Sequence, residues 1–101
     1  MEVKKYNIIY RDKADEDLFE YIDYIERMTF SKEKAEKLSS EIIAEILKLS
    51  LFPYLYQKIF KDFRLFSINN RRILYKVYEK EKIVVIYRIL SWFQEYENYL
   101  K

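Results

Sequence analysis

The chain has no cysteine, no histidine and no glycine among its 101 residues. Without cysteine there is no disulfide, no thiolate nucleophile and no thiolate metal site. Without histidine, the most frequent general base and metal ligand is missing, which excludes a Ser-His-Asp triad and a histidine-ligated zinc centre. Without glycine, the glycine-rich loops that hold nucleotide phosphates are excluded. We therefore predict that the protein uses neither a metal nor a cofactor.

The sequence also lacks an apolar run of the roughly 18 residues that mark a transmembrane helix. The first residues contain no apolar stretch typical of a signal peptide. We therefore expect a cytoplasmic protein without a membrane partner. Half of the residues are apolar and no low-complexity tract is present, so we predict a single folded domain over residues 1–101.

Charge is distributed unevenly along the chain, although the formal net charge is only +2. Residues 12–26 carry seven acids and one lysine, a balance of −6, whereas residues 58–76 carry six basic residues and one acid, a balance of +5. Concentrated positive charge favours an anionic partner, either nucleic acid or an acidic protein segment. The candidates for such binding are Lys58, Lys61, Arg71 and Lys76. The alternative is a hairpin whose basic side chains are merely solvated.

The first half of the chain predicts a strand followed by two helices. Residues Met1–Tyr10 alternate loosely between polar and apolar, as strands do. Apolar residues then recur with helical spacing over residues 13–28, after Asp12 as the predicted N-cap. Ser31 is placed to cap a second helix, which Pro53 ends at the latest. So short a link between two helices predicts an antiparallel helical hairpin.

The second half predicts three antiparallel strands. Phe63–Ile68, Arg72–Tyr78 and Lys82–Leu90 are rich in β-branched and aromatic residues, and Asn69-Asn70 suits a two-residue turn between the first two. Residues Ser91–Leu100 predict a short terminal helix or a tail. The predicted fold is therefore α+β, with an N-terminal strand, a two-helix hairpin and a three-stranded antiparallel sheet packed against the helices.

Three arginines and two tyrosines are the candidates for chemistry. Arg64, Arg72 and Arg88 lie within predicted strands, and arginine can hold a phosphate through two parallel hydrogen bonds. The alternative for each arginine is a solvent-facing position or an ion pair with a helix carboxylate. Tyr96 and Tyr99 follow the last strand, where a hydroxyl can transfer a proton or a ring can stack on a base. For both tyrosines the alternative is ordinary packing.

The turn decides whether Arg64 and Arg72 can share a site. If Asn69-Asn70 is a two-residue turn, Arg64 opposes Tyr75, and Arg64 and Arg72 point to opposite faces of the sheet. A bulge or a three-residue loop would change that relation.

Seven segments, in order, resemble the ParE/RelE superfamily of type II toxins. In the helical half the matching segments are Ala14–Leu18, Tyr21–Ile25, Ser31–Leu38 and Leu51–Pro53. In the strand half they are Phe63–Leu65, Arg72–Val77 and Ile83–Leu90. The last four resemble the family patterns L-x-x-F-P, L-R-x-L, Y-R-I-x-Y-x-V and V-x-I-x-x-I-x-H. The resemblance extends over nearly the whole chain.

This resemblance implies a toxin that is neutralised by a cognate antitoxin, whose chain wraps the toxin and covers its basic face. ParE-like members poison DNA gyrase, whereas RelE-like members cleave mRNA on the ribosome. For a nuclease, the resemblance implies that Arg72 and Arg64 stabilise the charge of the phosphorane and that Tyr96 or Tyr99 is the terminal tyrosine. The nuclease branch also carries a basic residue late in its sequence, and Arg88 is the nearest substitute for it in this chain.

Two departures favour the ParE-like interpretation. Ser91 stands where many members have histidine, and the basic residues that usually follow are replaced by Trp92, Phe93 and Gln94. The long helical hairpin also resembles ParE more than RelE. We therefore expect a toxin that binds DNA gyrase. The alternatives are a ribosome-dependent mRNA endonuclease without a metal, and an inactive protein-binding module with a toxin fold.

Overall fold

The computed structural model describes residues 5–91, 94 and 96–99, which form one five-stranded sheet and two long helices. The strands are β1 (Asn7–Tyr10), β2 (Lys58–Phe60), β3 (Phe63–Ile68), β4 (Arg71–Tyr78) and β5 (Ile83–Ser91). The helices α1 (Asp12–Thr29) and α2 (Lys32–Leu47) lie between β1 and β2 in the chain. Short 3-10 helices occupy Lys48–Ser50 and Tyr96–Tyr99. The predicted α+β fold class is confirmed.

The sheet contains more than the three predicted antiparallel strands. Its order is β1-β5-β4-β3-β2, with β1 parallel to β5 and the other neighbours antiparallel. Strand β2 was not predicted, because three residues are too few for an alternating pattern to emerge. Its pairing with β3 also shifts register between Lys58 and Phe60.

The two helices begin differently. The N-cap of α1 is Arg11, which makes no side-chain capping bond, so the prediction of Asp12 as the cap is wrong by one residue. Asp12 and Asp15 lie instead in the first turn, where the helix dipole favours a negative charge. Helix α2 begins as predicted, because the Ser31 Oγ accepts a hydrogen bond of 3.1 Å from the Lys34 N–H.

The link between the helices contains an unusual phenylalanine. Phe30 follows α1 with φ of 56°, in the left-handed region that non-glycine residues, bulky ones above all, seldom occupy. Its side chain is 94% exposed, so burial of the ring does not offset this strain. The tip of the hairpin therefore presents a large apolar side chain to solvent.

Both helices pack on one face of the sheet. The fully buried residues of this core include Ala14 from α1, with Ile42 and Ile46 from α2. The sheet contributes Phe66, Ile73, Tyr75, Val84, Ile86 and Ile89. Since side chains alternate along a strand, Phe63, Arg72, Leu74, Lys76 and Tyr78 point to the opposite face. Leu74 and Leu90 are fully buried on that opposite face, so part of it is covered as well.

Two local features set the register of the strands. Asn69 and Asn70 both have positive φ, of 50° and 61°, as a two-residue type I′ turn requires. The predicted register follows, with Arg64 opposite Tyr75. On the other side of β4, Leu74 pairs with Arg88 while Tyr75 pairs with Ile86. Tyr87 is therefore the extra residue of a β-bulge, which places Tyr87 and Arg88 on the same face.

Candidate functional site

Arg64 is held inside the fold on the helix-covered face. Its Nη1 donates a hydrogen bond of 2.6 Å to the carbonyl oxygen of Tyr56, and its guanidinium carbon lies 4.9 Å from the centre of the Tyr54 ring. The Tyr56 ring stacks on Phe66 at 4.2 Å. Arg64 therefore fastens the segment between α2 and β2 to the sheet.

Arg88 forms an ion pair with α1. Its Nε donates to Oδ2 of Asp17 at 2.8 Å and its Nη2 donates to Oδ1 at 2.9 Å, while the Ile89 N–H donates to the same carboxylate at 2.9 Å. The side chains of Arg88 and Asp17 are only 20% and 10% exposed. The hydrogen bonds to Asp17 raise the pKa of Arg88. This is the helix-carboxylate alternative considered above for the strand arginines.

Of the two terminal tyrosines, Tyr99 lies beside this ion pair. The Tyr99 ring centre is 4.4 Å from the guanidinium carbon of Arg88, and its hydroxyl accepts a hydrogen bond of 3.1 Å from Nε2 of Gln94. The backbone of Tyr96 belongs to the same 3-10 helix, but its side chain lies outside the described part of the structure. Trp92 and Phe93 also lie outside the described residues.

Arg71 lies on the helix-covered side, next to α1. Its guanidinium carbon is 4.5 Å from the centre of the Tyr21 ring and 5.8 Å from that of Tyr24. The neighbouring turn is attached to both helices, because the Tyr21 hydroxyl donates to the Asn69 carbonyl and Asn69 Nδ2 donates to the Leu38 carbonyl. These residues line a cleft of about 960 Å³ between α1, the turn and the end of β5.

The remaining basic candidates lie elsewhere. Lys58 and Lys61 are exposed at the edge formed by β2, with Lys61 Nζ 5.5 Å from the centre of the Phe60 ring. Lys76 Nζ is 5.6 Å from the Phe63 ring centre and 5.2 Å from that of Tyr78, on the face opposite the helices.

The structure therefore separates the residues that the sequence grouped. By strand register Arg64 belongs to the helix-covered face, and Arg72, Lys76 and Arg88 belong to the opposite face. The Arg88 guanidinium nevertheless reaches Asp17 of α1, whereas that of Arg64 is bonded to the Tyr56 carbonyl, so these two arginines do not converge. Arg72 is partly buried opposite Ser67 and Leu90. The basic run of residues 58–76 is divided among an edge, two sheet faces and the cleft beside α1.

Comparison with known proteins assigns the family. The sequence model described as "ParE toxin of type II toxin-antitoxin system, parDE" matches residues 8–96. The chain belongs to the ParE toxin family. A search of curated protein sequences found no significant match.

Solved structures with a similar fold come from both branches of the superfamily. A chain of the chromosomal ParDE toxin–antitoxin system of Pseudomonas aeruginosa has a TM-score of 0.74 at 18% identity, covering 87% of this chain and 97% of that one. A chain of the RelBE2 toxin–antitoxin complex of Mycobacterium tuberculosis has a TM-score of 0.63 at 16% identity, covering 89% and 94%. The isolated Escherichia coli RelE toxin has a TM-score of 0.56 at 11% identity, covering 93% and 92%. At these identities the likeness concerns the fold.

This ParE-family chain carries an apolar strip that charge-based reasoning did not find. The strip continues from the outer side of α2 into the loop that follows, and its members are 44–62% exposed. They are Ile43, Leu47, Leu51, Phe52 and Leu55. The sequence signal was available, because Ile43, Leu47 and Leu51 recur at every fourth position. Contiguous exposed apolar surface of this kind marks interaction sites.

A second missed cluster joins three distant segments of this ParE-family fold around Glu79. Its Oε2 accepts hydrogen bonds from the hydroxyls of Tyr6 and, at 2.8 Å, Tyr54, while its Oε1 accepts from Lys82 Nζ at 2.8 Å. These bonds, led by that from Lys82, lower the pKa of Glu79 to about 2. Burial and the bond to Glu79 raise the pKa of Tyr54 to about 12. The cluster ties the chain before β1 to the β4–β5 turn, which is a structural role.

Two negative findings apply to the described residues of this ParE-family chain. Within residues 5–91, 94 and 96–99, no group of three or more acidic, cysteine or histidine side chains could hold a metal ion. In the same part of the chain, neither long helix is sufficiently apolar to cross a membrane.

Proposed function

We propose that this ParE-family toxin arrests growth in the cytoplasm by binding DNA gyrase, without cleaving RNA. The observation that carries this proposal is the separation of the candidate catalytic groups. Arg64 in β3 is bonded to the Tyr56 carbonyl, whereas Arg88 in β5 is bonded through Nε and Nη2 to Asp17 of α1. In-line attack of a 2′-hydroxyl on a phosphate requires its charge-stabilising groups to surround one phosphorus. Two arginines on separate strands, each bonded to a different part of the protein, do not satisfy that requirement.

The tip of the helical hairpin supplies a surface for the target. Phe30 is 94% exposed and Met28 is 64% exposed. Strained backbone that persists at an exposed position is typical of functional sites. Large apolar side chains that project from a rigid support commonly anchor protein interfaces. We infer that Phe30 enters an apolar pocket on gyrase.

The experiment combines a supercoiling assay with a map of mRNA 5′ ends taken within minutes of induction. We expect the purified chain to inhibit gyrase-catalysed supercoiling of relaxed plasmid and to leave the map unchanged. Phe30→Asn should abolish inhibition with the fold intact, because asparagine tolerates the left-handed conformation. Phe19→Asn is the matched control, since Phe19 is 72% exposed on the side of α1 rather than at the tip. New 5′ ends inside codons would contradict this proposal and favour the endonuclease.

We further propose that a cognate antitoxin neutralises the toxin by covering the apolar strip. The strip leads directly into β2, an edge strand with Lys58 and Lys61 beside it. An antitoxin segment with apolar residues on one side and acidic residues next to them fits both features. Apolar anchors would provide the affinity, and the acids would accelerate association.

Calorimetry with the product of the adjacent gene tests the antitoxin proposal. Leu47→Ser and Phe52→Ser should each weaken binding at least tenfold, since removing an interface anchor costs about 2 kcal/mol or more. Phe30→Asn should leave antitoxin binding unchanged and so distinguishes the two surfaces. Unaltered affinity of both serine variants would show that the antitoxin binds elsewhere.

A further inference from the structure

Two tyrosines of the Glu79 cluster bring their phenol groups together. The chain contains eleven tyrosines but no cysteine, the residue at which proteins most often undergo reversible oxidation. The hydroxyls of Tyr6 and Tyr54 both donate hydrogen bonds to the same oxygen, Oε2 of Glu79. Their rings lie edge-on to each other, with centres 6.5 Å apart and planes at 85°. The two phenol groups are therefore neighbours, although they are 48 positions apart in the chain.

Backbone hydrogen bonds hold the two tyrosines in this arrangement. The Tyr6 N–H donates to the Ser50 carbonyl at 2.8 Å, which attaches the chain before β1 to the end of the helical hairpin. The loop that carries Tyr54 is fastened at Pro53, whose carbonyl accepts a hydrogen bond of 3.0 Å from the buried Tyr75 hydroxyl. The proximity of the two phenols is thus a property of the folded chain and is lost when the chain unfolds.

Glu79 supplies a base that both phenols share. Its carboxylate is ionised at neutral pH, because the hydrogen bonds from Lys82, Tyr6 and Tyr54 lower its pKa to about 2. An ionised carboxylate only accepts hydrogen bonds, so it can take the phenolic proton when an electron leaves the ring. Tyr54 is 49% exposed and the Glu79 side chain is 55% exposed. A small oxidant can therefore reach the ring, and the proton can pass on to water.

We propose that Tyr6 and Tyr54 form a dityrosine cross-link when the chain meets a diffusible one-electron oxidant, such as the carbonate radical. Each tyrosine gives one electron to the oxidant and its phenolic proton to Glu79, which passes the proton to water. The two ring radicals join through a carbon–carbon bond between the positions next to the hydroxyls. The hydrogen on each joined carbon then moves to the phenolic oxygen, so both hydroxyls are restored. The product lacks two hydrogen atoms, and the two electrons have reduced two oxidant radicals.

A second tyrosine pair in the described part of the chain provides a matched comparison. The hydroxyls of Tyr78 and Tyr87 are hydrogen-bonded to each other. The proton acceptor in this pair is a neutral phenol rather than a carboxylate, so loss of an electron together with a proton is less favourable. We therefore expect coupling of Tyr6 with Tyr54 to dominate over coupling at this second pair. The proposal depends neither on DNA gyrase nor on an antitoxin.

Photo-oxidation of the full chain by a ruthenium tris-bipyridine complex with persulfate tests the proposal. We expect the blue fluorescence of dityrosine in the monomer band of a denaturing gel. After trypsin digestion, the peptides Tyr6–Arg11 and Leu49–Lys58 should appear joined, lighter than their sum by two hydrogen atoms. Each peptide contains a second tyrosine, Tyr10 or Tyr56, so fragmentation in the mass spectrometer locates the bond.

Four variants assign the roles. Tyr6→Phe and Tyr54→Phe should each abolish the cross-link while keeping the aromatic ring. Tyr78→Phe is the matched control and should leave the yield unchanged. Glu79→Gln keeps both phenols and the shape of the side chain, but an amide does not accept a proton. We expect it to lower the initial rate of coupling by at least about tenfold.

The cross-link also has an effect on stability. It closes a loop of 48 positions, so Tm should rise by about 8 °C or more, as for a disulfide of similar span. Three outcomes would overturn the proposal, namely equal yields at Tyr78 and Tyr87, links formed only between chains, or an unchanged rate in Glu79→Gln. A cross-linked chain with an unchanged or lower Tm would overturn it as well, because the bond would then not fit the native arrangement.

Discussion

The ion pair between Asp17 and Arg88 allows a quantitative prediction. Asp17→Ala removes a carboxylate that accepts three hydrogen bonds, two from Arg88 and one from the Ile89 N–H. Net contributions of hydrogen bonds to charged groups are about 1.5–3 kcal/mol each. Arg88 keeps 20% of its side chain exposed and regains part of that energy from water. Ile89 is 3% exposed and its N–H regains less.

We therefore expect Asp17→Ala to lower the free energy of unfolding by about 3 kcal/mol. At roughly 4 °C per kcal/mol for a domain of this size, Tm should fall by about 12 °C. Urea unfolding of Asp17→Ala, Arg88→Ala and the double variant closes a double-mutant cycle. We expect a coupling energy of about 2 kcal/mol, above the 0–1 kcal/mol of exposed pairs.

A coupling energy below about 0.5 kcal/mol would refute this reasoning. Such a value would mean that the Arg88 guanidinium interacts with water about as favourably as with Asp17. It would then be available to bind a substrate phosphate. The control is Lys13→Ala, which breaks the exposed pair of Lys13 with Glu16, 71% and 60% accessible, and should change stability by less than about 0.5 kcal/mol.

Three further predictions concern stability. Asn69→Ala should cost about 2 kcal/mol in urea unfolding, because it loses the bond to the Leu38 carbonyl and places alanine at φ of 50°; a neutral effect would mean the turn does not attach the helices. Tyr75→Phe should cost about 1 kcal/mol, since its buried hydroxyl donates to the Pro53 carbonyl at 3.0 Å, and unchanged stability would argue against that bond. For Glu79, a folded pKa of about 2 against an ordinary 4.5 means that its stabilisation is present above pH 4.5 and lost as pH falls towards 2. The Tm difference between wild type and Glu79→Gln should therefore shrink as pH falls from 4.5 towards 2. A difference that stays constant with pH would show that ionisation of Glu79 does not contribute to stability.

The sequence predicted what depends on local pattern. Ser31 fixed the start of α2, and two consecutive asparagines fixed both the turn and the register that separates Arg64 from Arg72. These predictions succeeded because a cap and a type I′ turn are decided by neighbouring residues. The register then assigned each arginine to a face.

The sequence could not reveal contacts between distant segments. Asp17 and Arg88 are 71 positions apart, and nothing in either local pattern selects the other. The bulge at Tyr87 is equally hidden, because a continuous apolar strand looks the same with or without an extra residue. The basic residues of 58–76 are dispersed in the fold for a related reason, since charge summed along a chain ignores which side of a strand each residue occupies.

The parallel pairing of β1 with β5 has a consequence for the synthesis of a toxic protein. Asn7 pairs with Ile83, so β1 cannot pair in the sheet until a segment 76 positions later in the chain has been synthesised. Closing a loop of that length costs about 4 kcal/mol of chain entropy, and such long-range contacts slow folding. A nascent chain that has not yet produced β5 cannot complete the sheet, nor can it form the ion pair between β5 and α1. A chain halted before β5 would therefore lack both the partner of β1 and the anchor of α1, and could not display the folded surfaces on which either proposed interface depends.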